Sequence, residues 1–166
     1  YADVIVGAWK YDDGEPGEGA AFVFLGSATG IVGNDPATAA TRLQSDQTGA
    51  LFGNSVAGAG DVDGDGYADV IVGAQAYDAG EADEGAAFVF LGDAAGIANG
   101  NPVTAATQLE SNQETSRFGS VAGAGDVDAL EFPVEWPRPT AIPRKPHTIW
   151  QYLLDHGSEG QVGRLR

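Results

Sequence analysis

The stretch GDVDGDGYADVIVGA, Gly60–Ala74, places four aspartates within nine residues, sets glycines between them, and then runs into Val and Ile. Asp and Gly are common in turns because they tolerate tight backbone geometry, so one Asp-Gly pair would need no further reading. Four carboxylates at i, i+2, i+4 and i+8 are a different matter. Crowded acids repel one another unless something neutralises them, and the spacing is the one a hard cation requires. Calcium takes six to eight oxygens from alternating carboxylates and a backbone carbonyl on a curled loop. Asp61, Asp63 and Asp65 fall at loop positions one, three and five, Gly66 at the sharp turn of position six, Tyr67 at position seven to offer its carbonyl, and Asp69 at position nine. The twelfth position, where an EF-hand carries its bidentate acid, is Val72, and no flanking helix is readable. The pattern therefore predicts a calcium loop that leads into a strand and is not an EF-hand.

Outward from this loop the chain repeats itself. YADVIVGA at Tyr1–Ala8 returns unchanged at Tyr67–Ala74, EGAAFVFLG at Glu18–Gly26 returns at Glu84–Gly92, and TAATRLQS at Thr38–Ser45 returns as TAATQLES at Thr104–Ser111. Phe52-Gly53 recurs as Phe118-Gly119, after which one residue drops out: FGNSVAGAGDVD becomes FGSVAGAGDVD. This divides residues 1–128 into a partial repeat (1–51), a full repeat (52–117) and the start of another (118–128). The last 38 residues, 129–166, are different material and hold five of the eight prolines, five of the eight basic residues and both histidines. Their prolines predict a linker, and HTIWQYLLDHG, with Thr148 as cap and Gly157 as stop, predicts a short helix.

Within the repeats the apolar runs are short, bounded by Gly, and rich in Val, Ile and Phe, which favours strands. About ten residues separate DVIVGA from GAAFVFLG. That is too few for a crossover helix, so the two should pair antiparallel. Both runs carry apolar side chains on both faces, as in a sheet covered on two sides. FGNSVAGAG, DVIVGA, AAFVFLG and a weaker TAATQLES then give four antiparallel strands per repeat, the arithmetic of a β-propeller blade. The expected fold is all-β: an incomplete propeller of about two blades with an irregular or partly helical C-terminal tail. A sandwich with a duplicated hairpin competes less well, because of the repeat and the two-faced apolarity.

Composition narrows the partners. Twenty-four acids against eight Lys and Arg give a formal net charge of -16, which argues against nucleic acid and anionic membrane surfaces and makes cations the natural counter-partners. No cysteine is present, so disulfides, zinc-thiolate sites and thiol nucleophiles are excluded. The apolar runs are strand-sized and predict no membrane insertion in this chain.

The loop, preceded by FGNSVAGAG, resembles the FG-GAP repeat of integrin α-subunit propellers and of many bacterial secreted proteins. The resemblance covers residues 1–128 and favours a bacterial-type secreted source. It implies four-stranded blades in which the loop joins the first two strands and holds Ca2+ through Asp61, Asp63, Asp65, Asp69 and the Tyr67 carbonyl. The "GAP" half departs from the family pattern, reading Gly7-Ala8-Trp9 and Gly73-Ala74-Gln75. Two half-loops flank the full one. Tyr1-Ala2-Asp3 supplies only the last part, and in the one begun by Asp126-Val127-Asp128 a leucine, Leu130, takes the place of the third aspartate. The chain reads as part of a longer array or as a piece that assembles with others.

Other chemistry weighs less. The turns YDDGEPGEG and YDAGEADEG hold Asp12, Asp13, Glu15 and Glu18, then Asp78, Glu81, Asp83 and Glu84. A glycosidase-like pair could be drawn from these acids, but they are expected to be solvated turns. His147 and His156 lie outside the repeats with no nucleophile motif beside them. The function expected is non-enzymatic: a calcium-stabilised scaffold, extracellular or at the cell surface, that binds a protein or carbohydrate ligand in adhesion. Two alternatives stay open at this point, an accessory propeller of a secreted hydrolase or lyase and a structural repeat that forms a homo-oligomer.

Overall fold

The computed structural model describes residues 1–31 and 33–127. The linker and helix expected in 129–166, and Asp128 of the second half-loop, lie outside the described residues. The described chain is built of antiparallel strands: β1 (Val4–Ala8), β2 (Ala20–Phe24), the two-residue β3 (Gly26–Ser27) and β4 (Gly30–Ile31), β5 (Thr41–Gln44), β6 (Phe52–Gly60), β7 (Asp69–Ala74), β8 (Ala86–Phe90) and β9 (Thr107–Glu110). Its one helical element is a 3-10 turn, Pro36–Thr38, capped by Asp35.

The four strands expected per repeat are present as the sheet β6-β7-β8-β9, each strand antiparallel to the next. The preceding sheet, β1-β2-β5, repeats the last three of these strands in the same order. Its register repeats as well: Val6 opposes Phe22 and Val72 opposes Phe88. The fold is thus two successive propeller blades, the second complete and the first lacking a counterpart of β6 among the described residues. Ladder irregularities between Phe52 and Ser55, and between Gly58 and Gly60, bend β6 at both ends.

One apolar core lies between the blades. It joins Ala21 and Leu43 of the first to Phe52, Val70, Val72, Ala74, Ala86, Phe88 and Phe90 of the second. This is why β7 and β8 read as unbroken apolar runs: one face meets the neighbouring blade. Phe52 tilts against Phe88 at 5.8 Å between ring centroids and meets Phe90 edge-on at 6.3 Å, and Tyr77 stands edge-on to Phe88 at 5.1 Å. Such pairs add about 0.5–1.5 kcal/mol to the burial itself.

Two sets of hydrogen bonds fasten the blades at their rims. Residues 97–100 run along the free edge of β5: Gly100 N–H donates to the Arg42 carbonyl and Gln44 N–H to the Gly100 carbonyl, both at 3.1 Å. Arg42 N–H donates to Asn99 Oδ1 at 2.7 Å, and the Thr41 hydroxyl donates to the Ile97 carbonyl. At the other rim Phe52 N–H donates to the Glu18 carbonyl at 2.9 Å, and Phe118 N–H repeats the contact on Glu84 at 2.8 Å. Gly19 (φ 79°) and Gly85 (φ 75°) adopt the left-handed conformation at these points, and a Cβ on either would stand 2.2 or 2.0 Å from the carbonyl oxygen of the incoming phenylalanine. Only glycine fits there.

Phe52→Ala should lower stability by about 3–5 kcal/mol, because a fully buried aromatic leaves a cavity that a sheet core closes poorly; urea unfolding followed by tryptophan fluorescence measures it. Tyr77 gives a second expectation. Burial, and then the charge of Asp46, raise its pKa above the ordinary 10.0. The folded state therefore holds the phenolic proton more tightly than the unfolded state. Stability is unaffected below about pH 10 and falls as the pH rises from there toward the folded pKa. In alkaline unfolding curves Tyr77→Phe should lose less stability above pH 10 than the parent chain.

Candidate metal centre

The loop between β6 and β7 folds around its own first aspartate. Both carboxylate oxygens of Asp61 accept backbone amides: Gly64 N–H at 2.8 Å and Asp65 N–H at 3.0 Å on one, Gly66 N–H at 2.9 Å on the other. Gly64 (φ 79°) and Gly66 (φ 92°) supply the left-handed turns that bring those amides inward. Asp63 accepts Asp65 N–H at 3.2 Å, and Asp65 accepts Tyr67 N–H at 2.8 Å. The outcome is a carboxylate cluster. Asp61, Asp63 and Asp65 are exposed, and one oxygen from each lies within 4.8 Å of the others. The one salt bridge among the described residues, Arg42 to Asp13, lies elsewhere, so no base in that range offsets the cluster's charge.

Asp69 is placed differently. It is fully buried at the start of β7, where Oδ2 accepts Val62 N–H at 2.6 Å and Oδ1 accepts Gly92 N–H at 2.8 Å. It closes the loop onto its exit strand and ties that strand to the end of the hairpin after β8. Asp3 makes the same bond in the first blade, accepting Gly26 N–H at 2.7 Å. Tyr67 stands just before this closure with its ring exposed. The structure therefore gathers Asp61, Asp63 and Asp65 into one cluster and sets Asp69 beside it as a clamp. Val72, at the twelfth loop position, is buried in β7 opposite Val56, so the EF-hand ligand is absent in space as it is in sequence.

The hairpin acids correct an expectation. Glu18 and Glu84, grouped with solvated turn acids on sequence, are among the most buried side chains. Glu84 Oε1 accepts the amides of Ala79 (3.0 Å) and Glu81 (2.9 Å), and Oε2 accepts that of Asn112 (3.1 Å). Glu18 repeats the arrangement with Asp13 (2.8 Å) and Glu15 (3.3 Å) on one oxygen and Asp46 (3.2 Å) on the other. Each carboxylate ties the turn after strand two to the loop after strand four. The signal was legible: in both copies Glu stands two residues before the apolar run AAFVFL, at identical spacing.

A four-stranded antiparallel blade with an aspartate loop between its first two strands, packed on a sheet that repeats its last three strands, defines the class as a β-propeller repeat protein. The family model of the FG-GAP repeat matches residues 52–90, from the start of β6 to the end of β8, so this stretch is an FG-GAP repeat. It is 40% identical over 117 residues to integrin alpha pat-2 of Caenorhabditis briggsae, covering 69% of this chain and 9% of that protein. It is 39% identical over 83 residues to integrin alpha-5 of Xenopus laevis, covering 49% of this chain and 8% of that one. The chain thus spans less than a tenth of the length of either relative.

Glu84→Gln should destabilise the chain by about 1–3 kcal/mol, since one oxygen becomes a donor facing backbone N–H groups that lose their acceptor. Glu81→Gln, which changes an exposed acid in the same turn, should stay within about 0.5 kcal/mol of the parent. Paired urea titrations of the two variants give the comparison.

Proposed function

We propose that the chain is a calcium-stabilised propeller segment of an extracellular or cell-surface protein, acting as a non-enzymatic scaffold that presents loops to a ligand in adhesion. One observation carries the calcium reading: three exposed carboxylates, with oxygens within 4.8 Å of one another, are held in place by the amides of their own loop. An all-oxygen, three-carboxylate set suits calcium better than a softer metal. Asp61, Asp63 and Asp65 would hold the ion directly. The Tyr67 carbonyl and Asp69 complete the ligand set proposed on sequence, Asp69 also fixing the loop through its two amide bonds. The ion would relieve the repulsion among the carboxylates and pin the turn between β6 and β7, and its role is structural.

The adhesion setting rests on the likeness to two integrin α chains. No helix among the described residues is long and apolar enough to cross a membrane. The strong negative charge supports a cation and a protein ligand with a basic face over any nucleic acid. The absence of a catalytic role is supported by the hairpin acids themselves: Glu18 and Glu84, the buried candidates for a carboxylate pair, are committed to backbone amides.

Asp63 separates a metal loop from an acidic turn, because its carboxylate accepts a single 3.2 Å bond and contributes little to the loop without an ion. At ten times the dissociation constant a ligand stabilises by about 1.4 kcal/mol, which for a domain of this size is a rise of several degrees. Millimolar calcium should therefore raise the melting temperature of the parent chain by several degrees, chelator should reverse the rise, and Asp63→Ala should remove the response while melting near the parent's value in chelator. A melting temperature indifferent to calcium would sink the reading.

A further inference from the structure

Residues 97–101 form a strap from the second blade onto β5 of the first, and the strap contains an Asn-Gly pair, Asn99-Gly100. None of the other four asparagines precedes a glycine. Asn34, Asn54 and Asn112 are followed by Asp35, Ser55 and Gln113, and Asn101 by Pro102, which has no N–H. The distinction is chemical. A glycine carries no side chain, so its amide nitrogen can close on the carboxamide carbon of the asparagine before it with least hindrance. One repeat earlier the same two positions read Gly33-Asn34, the reverse order, so the pair belongs to this strap alone.

The fold commits both groups that would react, and to the same partner. Arg42, on the outer edge of β5, donates its N–H to Asn99 Oδ1 at 2.7 Å and accepts Gly100 N–H on its carbonyl at 3.1 Å. Gln44 N–H donates to the Gly100 carbonyl at 3.1 Å. Two further bonds hold the strap, from the Thr41 hydroxyl to the Ile97 carbonyl and from Asn101 Nδ2 to Asp46 Oδ2 at 2.6 Å. Space at Gly100 is as tight as its bonding. A Cβ there would stand 2.6 Å from Thr104 Oγ1, 3.2 Å from Phe90 Cε1 and 3.4 Å from Leu43 Cδ2. Glycine is therefore demanded by packing against the inter-blade core, and the demand leaves a reactive pair at the surface, where Asn99 is exposed.

We propose that Asn99-Gly100 is a deamidation site gated by the strap: it reacts when residues 97–101 lift from β5, and its isoaspartyl product keeps the strap from closing again. In the lifted strap the Gly100 amide nitrogen gives its proton to solvent base and attacks Cγ of Asn99. A C–N bond forms, the bond from Cγ to the side-chain nitrogen breaks, and ammonia leaves behind a succinimide ring. Water then opens the ring at one of its two carbonyls, so the net exchange is ammonia lost for water gained. Opening at Cγ restores the main chain with an aspartate, whose carboxylate can accept the Arg42 N–H as Oδ1 did. Opening at the main-chain carbonyl gives isoaspartate, in which the chain runs through Cβ and Cγ and is longer by one methylene. Gly100 then cannot keep its bonds to Arg42 and Gln44 while it stays packed on Leu43 and Phe90. A transient opening between blades becomes a covalent and lasting one. The inference goes beyond the calcium scaffold and depends on neither the ion nor a ligand.

The full chain is aged at mildly alkaline pH, once in native buffer and once in unfolding guanidinium chloride, and its peptides are analysed by mass spectrometry that separates aspartate from isoaspartate. Three bonds of ordinary strength on Arg42 and Gln44 hold the opened fraction at about one part in a hundred, so Asn99 should convert about a hundredfold more slowly folded than unfolded. In the unfolded chain it should convert ahead of Asn34, Asn54 and Asn112. Asp46→Gly removes the Asn101 tether at an exposed residue whose φ of 54° glycine adopts freely. It should raise the folded rate several-fold and leave the unfolded rate unchanged. Asn99→Asp should keep the Gln44 amide protected from exchange as in the parent, whereas the isoaspartyl chain, separated after ageing, should lose that protection. Equal rates in the folded and unfolded parent overturn the gating, and this comparison needs no variant. Unfolded Asn99 that converts no faster than Asn54 overturns the site. A folded Asp46→Gly chain that ages at the parent's rate, or an isoaspartyl chain with Gln44 still protected, overturns the strap as the element that opens.

Discussion

The amide of each Phe-Gly phenylalanine donates to the carbonyl of a glutamate whose side chain is itself buried, and the remainder of the blade architecture hangs on that contact. The bond from Phe52 to Glu18 fixes where β6 starts relative to the preceding blade. It thereby places the Phe52 ring over Phe88 and Phe90 and sets the register in which β7 meets the first blade. The hook holds only if its acceptor is rigid. Glu18 is rigid because three backbone amides converge on its carboxylate, and an amide bond to a charged group is worth about 1.5–3 kcal/mol when burial leaves no water to replace it. Gly19 completes the arrangement by leaving no Cβ in the path of the incoming strand. Glu, Gly and Phe-Gly are separated by some thirty residues yet form one joint, repeated at Glu84, Gly85 and Phe118.

This explains how so acidic a chain folds. Its carboxylates are not one population of repelling surface charges. Glu18, Glu84 and Asp69 are turned inward on backbone N–H groups, and Asp12 and Asp78 cap the same hairpin turn in the two copies through Gly17 and Asp83 amides at 2.6 Å. Loops rich in glycine offer many unpaired amides, and acids satisfy them where helices and long strands are missing. What remains uncompensated is local: the Asp61, Asp63 and Asp65 cluster, where the charges converge and the backbone alone does not offset them.

The apolar runs were readable as strands because a blade covered on both sides needs no polar alternation, and the loop was readable because its spacing encodes coordination geometry. Composition alone hides the buried glutamates, because Glu in a Gly-rich turn looks like part of a solvated loop. Their role depends on amides of Ala79 and Asn112 that lie apart in sequence and are brought together only by the hairpin. Asp69 shows the same limit from the other side. Its position in the loop marks it as a ligand, but its burial and its bond to Gly92, 23 residues away, are products of the finished sheet. The pairing of residues 97–100 with β5 was also not legible, since Ile97, Asn99 and Gly100 lie in no strand-like run and act through backbone groups that any sequence carries.

Identical octapeptides in unlike surroundings supply the last step. Tyr1–Ala8 and Tyr67–Ala74 share every residue, form the same strand and pair with the same partner sequence in the same register, yet only the second has its valines fully covered by a neighbouring blade. Local sequence therefore determines the strand and its hairpin, whereas burial is conferred by the adjacent blade, as expected where each repeat contacts only its neighbours and stability is a sum over interfaces. In such an array the terminal surfaces are the sites of greatest unspent apolar area.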